Sequence, residues 1–435
     1  MNLIILGGGL AGLSLAYFQQ DHSTISKITI FEKENNLGGL CRSFSENGIT
    51  YDIGPHMFFS KNAKTMRIIE ELLGDNVRTL RRSNQIVHDK KFIQYPFEND
   101  LSKLNEKDLD YCVNTFINNP YEQYKPENML QFFLATFGEG ITNLYLRPYN
   151  EKIWKFDPAF MDMQMVGRIP KPPKEDILRS AEGETVDGYI HQLYFKYPKH
   201  GGAQTFIHRI NERLNEKITI FTNSEVTKLD RVGNSYSVEA GGKTFFADRI
   251  VSTMPANILA SIYEPADEDI RRTASALRYN SLAILLVNVK ENLVGDHFTF
   301  MVADKNVIFH RLSRLDFLGA DYCIPESCTF MVEITYKKDD LIDNATDSQI
   351  IDNVVNGLKS IAFIKAADDI NFINIQRFEY AYVVYDKMHR ANVNAILNYF
   401  SKQGIDLLGR FGAYEYLNMD NVIEQTKSFS NRFAC

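Results

Sequence analysis

The sequence predicts an α/β protein: a Rossmann-like nucleotide-binding domain interrupted by a mainly helical insert and by an antiparallel-sheet substrate domain. Three observations predict it. A short apolar run at the N-terminus leads through a glycine turn into a helical pattern and a second strand. A stretch around residues 101–179 shows helical periodicity and ends at Pro170, Pro172 and Pro173. Residues 282–336 contain several apolar or alternating runs of strand length.

Composition narrows the class. The 435 residues suggest two or three domains, and a chain of this size buries a sizeable core. With 44% hydrophobic and 24% charged residues, the chain is not disordered, collagenous or a disulfide scaffold. A net charge of −7 disfavours bulk nucleic-acid binding, which needs a basic surface to displace counterions. Five cysteines without a CxxC pair point to neither a disulfide framework nor a zinc site, and fit a reducing compartment. No apolar run reaches 18 residues, so no membrane span is expected. The N-terminus has no basic leader, and Gly7-Gly8-Gly9 breaks its apolar stretch; a cytoplasmic protein is the expectation.

The first forty residues carry the strongest signal. Residues 3–6 read as a buried parallel strand, residues 13–20 as a helix and residues 28–31 as a second strand. Between strand and helix stands Gly7-x-Gly9-x-x-Gly12, and Glu32 follows 20 residues after Gly12. This is the dinucleotide fingerprint in its required context. Gly7 permits the turn, Gly9 lets a pyrophosphate approach the backbone, and Gly12 lets helix and strand pack closely. The helix start offers free amides and a partial positive charge to the phosphates. Glu32 can accept from a ribose diol. The cofactor-binding set expected here is Gly7, Gly9, Leu10, Ala11, Gly12, Glu32 and Lys33. Just beyond, Gly38-Gly39-Leu40-Cys41-Arg42 places a flexible backbone and a bidentate phosphate donor at the mouth of the crevice.

Further elements follow in order. The helical pattern over residues 130–137 belongs to the insert. A helix over 205–214 precedes strands at 218–221 and 235–238, and residues 249–255 read as a strand returning to the nucleotide-binding sheet. Runs at 282–289, 299–302, 307–312 and 329–336 predict the antiparallel sheet, and residues 347–362 an amphipathic helix. From Met419 a last helix opens toward the cofactor. The expected division is nucleotide-binding domain at 1–85, 191–265 and 376–435, helical insert at 86–190, and substrate domain at 266–375.

The Gly-Gly pair followed by Arg42 resembles the second fingerprint of FAD enzymes of the amine-oxidase-like superfamily. Six later segments resemble the UDP-galactopyranose mutases. They are Asp52-Ile53-Gly54-Pro55-His56-Met57-Phe58, Tyr95-Pro96-Phe97-Glu98-Asn99, Arg147-Pro148-Tyr149-Asn150-Glu151-Lys152-Ile153-Trp154, Arg168-Ile169-Pro170, Tyr197-Pro198-Lys199-His200-Gly201-Gly202, and Leu408-Gly409-Arg410-Phe411-Gly412-Ala413-Tyr414-Glu415-Tyr416-Leu417-Asn418-Met419-Asp420. Arg168 lies 14 residues past Trp154, as in that family. The resemblance runs from residue 3 to about 425, and its N-terminal part alone is equally similar to amine oxidases, protoporphyrinogen oxidases and phytoene desaturases.

The resemblance implies a ring interconversion of a nucleotide sugar, pyranose to furanose, through a flavin N5–sugar adduct, in surface polysaccharide biosynthesis. It implies FAD in the reduced form, with NAD(P)H as an external reductant, and a homodimer supported by the helical insert. Arg168 and Arg410 match arginines that grip the diphosphate, and Tyr416 a tyrosine that touches it. Trp154 matches a tryptophan of the sugar pocket whose ring packs on the sugar while its N–H donates, and His56 a histidine beside the flavin. Asn99, Asn280, His310 and Arg311 stand at further substrate positions, and Gly39, Leu40, Arg42, Gly54, Val226, Gly409, Asn418 and Met419 at cofactor positions. Three residues depart from the family: Asn280 replaces an Arg, His310 a Tyr, and Asn418 an Asp. They leave open another nucleotide sugar, and also an oxidoreductase of the amine oxidase or desaturase type working by hydride transfer. A non-catalytic flavoprotein in a glycan-assembly complex is the third expectation.

Overall fold

The first strand, Asn2–Leu6, is buried on both faces at the centre of a five-stranded parallel sheet. The order is Ile405–Leu407, Arg249–Ser252, Asn2–Leu6, Lys27–Phe31, Ile218–Phe221. This computed structural model describes residues 1–169, 171–184, 186 and 193–433; the side chains of residues 168, 432 and 433 lie outside that description. Pro170 lies outside it too. The unbroken apolar run of the first strand has a direct cause. Leu3 and Ile5 enter a core shared with helices Leu10–Gln19, Gln204–Asn211 and Met419–Phe433. Ile4 and Leu6 point the other way, into a core shared with the antiparallel sheet Val226–Val232, Ser235–Ala240, Lys243–Ala247 and the helix His389–Lys402. A strand covered on both sides needs apolar residues at every position.

The second large sheet has seven strands, in the order Ile370–Val383, Tyr279–Val289, Cys328–Tyr336, Arg311–Arg314, Thr299–Val302, Asn84–His88, Lys91–Gln94. Its pairings are antiparallel except for Thr299–Val302 with Asn84–His88, which run parallel. One face, with Leu285, Val287, Val332 and Ile334, packs against the helix Asp347–Ser360. Leu282, Ile284, Leu286 and Met331 face the helical insert. That insert holds helices Glu106–Ile117, Met129–Ile141, Arg147–Trp154 and Lys174–Ala181.

Two expectations need correction. The run at 307–312 is not a strand throughout: the strand is Arg311–Arg314. Val307 and Phe309 are buried beside the helix Asp347–Ser360, so their apolar character reports loop packing rather than pairing. The strand Ile370–Val383, at 14 residues longer than Tyr279–Val289, was not anticipated. Most of its residues are half-buried, and its sequence mixes Asn, Gln, Arg and Glu with the apolar positions. Neither a continuous apolar run nor a clean alternation marks it. Among the described residues, no helix is long and apolar enough to cross a membrane. Cys41, Cys112, Cys323 and Cys328 are unpaired.

Candidate functional site

The crevice at the end of the parallel sheet is built from two touching glycine loops. A Cβ on Gly12 would stand 2.1 Å from the Gly7 carbonyl oxygen, so only glycine fits between strand and helix. The Gly38 amide donates to the Gly8 carbonyl at 2.9 Å, and Gly9 lies against Gly39. Glu32 is buried; its Oε2 accepts from the Gly8 amide and its Oε1 from the Glu34 amide, both at 2.9 Å. A carboxylate has about four acceptor positions, so two remain for a diol. The helix Leu10–Gln19 has no side-chain cap, which leaves the amides of Leu10, Ala11 and Gly12 to an anion.

The other predicted cofactor residues surround this crevice. Gly409, at φ +81°, donates its amide to Gln425 at 2.7 Å and approaches Ala11 so closely that a Cβ would sit 2.6 Å away. Asn418 precedes the helix Met419–Phe433, and its amide meets the Asn421 side chain at 3.4 Å. Leu40 packs between two cores, and Val226 is buried at the start of its strand. Arg42 braces its own loop, donating to the Gly39 carbonyl at 3.0 Å and facing Glu34 at 3.5 Å. Lys33 is exposed beside Glu34.

A second group forms a cleft where the seven-stranded sheet faces the insert. Arg311 grips Glu333 through two bonds of 2.6 Å, Nε to Oε1 and Nη2 to Oε2, and touches the Tyr382 hydroxyl at 3.4 Å. Burial opposes the Arg311 charge, but Glu333 and Tyr382 outweigh it and hold the guanidinium well above its ordinary pKa. Tyr382 and Tyr416 stack at 5.9 Å, and Trp154 meets both edge-on at 6.0 and 5.6 Å. The Arg410 guanidinium lies 4.2 Å from the centre of the Tyr416 ring. Its Nε and Nη2 are buried without a hydrogen-bond partner.

His56 lies beside this cleft, close enough to feel Arg410 and Arg311. Its Nδ1 lies 3.1 Å from the Gly54 carbonyl, which can only accept, so Nδ1 carries the proton and Nε2 is left as an acceptor. Burial, then Arg410, with Arg311 adding to them, pushes its pKa down to about 4, against a lesser pull from the Gly54 carbonyl. The imidazole is therefore neutral at pH 7. Behind it, burial pushes the Asp52 carboxyl up to about 6, although Ser43 at 2.6 Å and Tyr197 at 2.7 Å both donate to it.

Asn280 and His310 stand behind the cleft surface. Asn280 is fully buried, its Nδ2 donates to the Ile153 carbonyl at 2.9 Å, and its Oδ1 has no partner. His310 is 2% exposed, with Nδ1 unpartnered and its ring 6.4 Å from Tyr149. Burial, with Arg311 and Lys152, pushes its pKa well below the ordinary value. Trp154 Nε1 donates to Asn150 at 2.9 Å, so the expected N–H donation to a sugar is taken by the helix, and the ring alone is offered. Asn99 is buried on the turn Phe97–Asn99. Arg168 ends the turn Met163–Arg168, and its side chain lies outside the described residues.

Three residues carry no sequence expectation: Glu333 and Tyr382 in the cleft, and Arg82, near enough to Arg311 to feel its charge. Glu333 had a legible signal, because it is the only charged residue in the strand Cys328–Tyr336. Arg82 follows Arg81 directly, and nothing in the letters separates the half-buried arginine from the exposed one.

A glycine-lined dinucleotide crevice together with a buried, unpartnered arginine is an arrangement suited to a flavin-binding α/β protein. The chain matches the family model for flavin-containing amine oxidoreductases over residues 10–393 and belongs to that family. UDP-galactopyranose mutase of Mycoplasma pneumoniae is 26% identical over 39% of this chain and 44% of its own length. Protoporphyrinogen oxidase 1 of Arabidopsis thaliana, a chloroplast protein, is 19% identical over 67% of this chain and 59% of its own. The chain thus spans about half the length of these curated relatives. The crystal structure of a reduced UDP-galactopyranose mutase superposes with a TM-score of 0.91 at 22% identity, over 99% of this chain and 95% of that one. At that identity the likeness speaks for the fold.

Proposed function

We propose that the protein is an FAD-dependent nucleotide-sugar mutase that interconverts pyranose and furanose rings. The observation that carries this reading is Arg410. A guanidinium with two buried, unpartnered N–H groups on a tyrosine face calls for an anion, and a leaving diphosphate supplies one. Arg168 is proposed as its companion, as the resemblance implies. The glycine loops, the free amides of Leu10–Gly12 and the remaining acceptor positions of Glu32 suit the diphosphate and ribose of FAD. When bound and reduced, the flavin supplies the nucleophile toward the anomeric carbon.

The chain's own residues then have defined tasks. Arg410 and Tyr416 hold the diphosphate and stabilise its charge as the glycosyl bond breaks. Trp154 and Tyr382 wall the sugar. His56, neutral with Nε2 free to accept, takes or returns a proton beside the flavin. The Arg311–Glu333 pair holds the wall of the cleft without adding net charge. The domain division stated above, a homodimer and a cytoplasmic location are part of the same proposal, the dimer being open to light scattering.

Purified holoenzyme, reduced anaerobically with dithionite, tests the reading with a panel of nucleotide sugars and NMR of the products. Ring interconversion dependent on reduction is expected. A second reading, hydride transfer by an oxidoreductase, is favoured by one observation: Asn280 leaves its position neutral where the mutases carry Arg. Bleaching of oxidised flavin by substrate, with no ring interconversion across the panel, would replace the first reading with the second.

A further inference from the structure

Arg82 is a cation that the diphosphate assignment does not use. Its guanidinium stacks on Phe59, with Cζ 4.5 Å from the ring centre, and lies close enough to Arg311 to feel its charge. Its Nε and Nη2 are buried, and neither has a hydrogen-bond partner. Burial pushes its pKa down to about 10; the Tyr95 hydroxyl resists that fall and Arg311 adds to it. Among the described residues no carboxylate pairs with it. Arg311, by contrast, presents the same two atoms, Nε and Nη2, to both oxygens of Glu333. The fork that Arg82 leaves empty is therefore the one that grips a carboxylate elsewhere in this cleft. Tyr95, close enough to act on that charge, is 39% exposed. Two desolvated donors without acceptors are a costly arrangement unless a ligand supplies them.

We infer that the cleft takes a substrate with a second anionic group, a carboxylate on the glycosyl unit, and that Arg82 binds it. The inference rests on the nucleotide-sugar reading above. With the diphosphate held at Arg410, a nucleotide sugar offers two other parts, the nucleobase and the glycosyl unit. Of these, the glycosyl unit can carry a carboxylate. The substrate class is a nucleoside-diphosphate uronic acid.

Titration calorimetry of the FAD-loaded protein with UDP, UDP-galactose and UDP-galacturonic acid tests this. UDP-galacturonic acid is expected to bind about tenfold or more tightly than UDP-galactose, as a charged hydrogen-bonded pair allows. Arg82→Gln should erase that preference and leave UDP affinity unchanged, and Arg82→Lys should restore part of it. Retention of FAD reports that each variant is folded. Binding of UDP with no preference between the two sugars overturns the inference alone, whatever the variants do. A preference that survives in Arg82→Gln overturns the assignment of Arg82. Failure of all three ligands to bind overturns the nucleotide-sugar reading and this inference with it.

Discussion

Arg410 and Arg311 show how one side-chain type takes two roles within a single cleft. Arg311 is neutralised by Glu333 and works as structure; among the described residues Arg410 has no such partner, and under the proposed function it serves the ligand. Arg410→Ala should lower turnover by about a hundredfold or more, the scale seen when one charged stabiliser of a leaving group is removed. FAD content should be unchanged, and near-normal turnover would show that the diphosphate lies elsewhere. His56 carries a pH prediction. Its folded pKa, about 4, is below the ordinary 6.5. Between these values the unfolded chain takes up a proton that the folded chain refuses, so stability falls as pH drops from about 6.5 toward 4. The full effect, reached only below pH 4, is at most about 3.5 kcal/mol, since one pKa unit is worth about 1.4 kcal/mol. Asp52, raised to about 6, acts in the opposite sense, because its folded form binds the proton more readily. Denaturant titrations of the wild type and His56→Asn at pH 7 and pH 5 isolate the histidine: the variant should lose less stability between them.

At the level of elements, the end of the helix Arg147–Trp154 is fastened by two strands. Thr335 donates to the Lys152 carbonyl at 2.6 Å and Asn280 to the Ile153 carbonyl at 2.9 Å. These carbonyls lie in the last turn, where a helix has no partners of its own. Asn280, expected as a substrate contact, thus holds the turn that carries Trp154. Thr335→Val should cost about 1 kcal/mol, the net worth of a hydrogen bond. Trp154 is the only tryptophan, so a shift in its emission would report the loosened turn directly. The first glycine loop makes a sharper prediction. Gly12→Ala drives a methyl into the Gly7 carbonyl and should abolish FAD retention, measured by absorbance after gel filtration. A variant that kept its flavin would mean that helix and strand can part without losing the crevice.

Over the whole molecule, the parallel sheet gathers strands from residues 2–6, 27–31, 218–221, 249–252 and 405–407. The crevice is closed by residues as remote as Gly409 and the helix Met419–Phe433. No N-terminal fragment that ends before residue 405 contains the complete parallel sheet. A fragment of residues 1–212 should therefore show neither flavin binding nor cooperative unfolding by circular dichroism, and a fragment that did both would refute this account. The seven-stranded sheet is assembled in the same way, with strands 84–88 and 91–94 joined to others some two hundred residues away.

The sequence by itself determined the parts whose information is local. Gly7, Gly9, Gly12 and Glu32 are legible because a tight turn, a close approach and the proposed diol acceptor each demand one residue type at one spacing. Strands 218–221 and 299–302 were legible because short apolar runs between breaks leave few alternatives. The resemblance of later segments to a known family pointed to His56, Trp154, Arg410 and Tyr416, and the structure brings Trp154, Arg410 and Tyr416 together. Only the tertiary structure decided which cations are free. Whether an arginine is neutralised depends on what the fold sets beside it: Glu333 beside Arg311, and, among the described residues, no carboxylate paired with Arg82 or Arg410. It also decided that Asn280 turns to a helix end and that Trp154 spends its N–H on Asn150. These outcomes rest on contacts between residues far apart in the chain, about which spacing along the chain is silent. Burial then sets the charge of each group, because a low-dielectric surrounding penalises the ionised form by an amount that no single letter encodes.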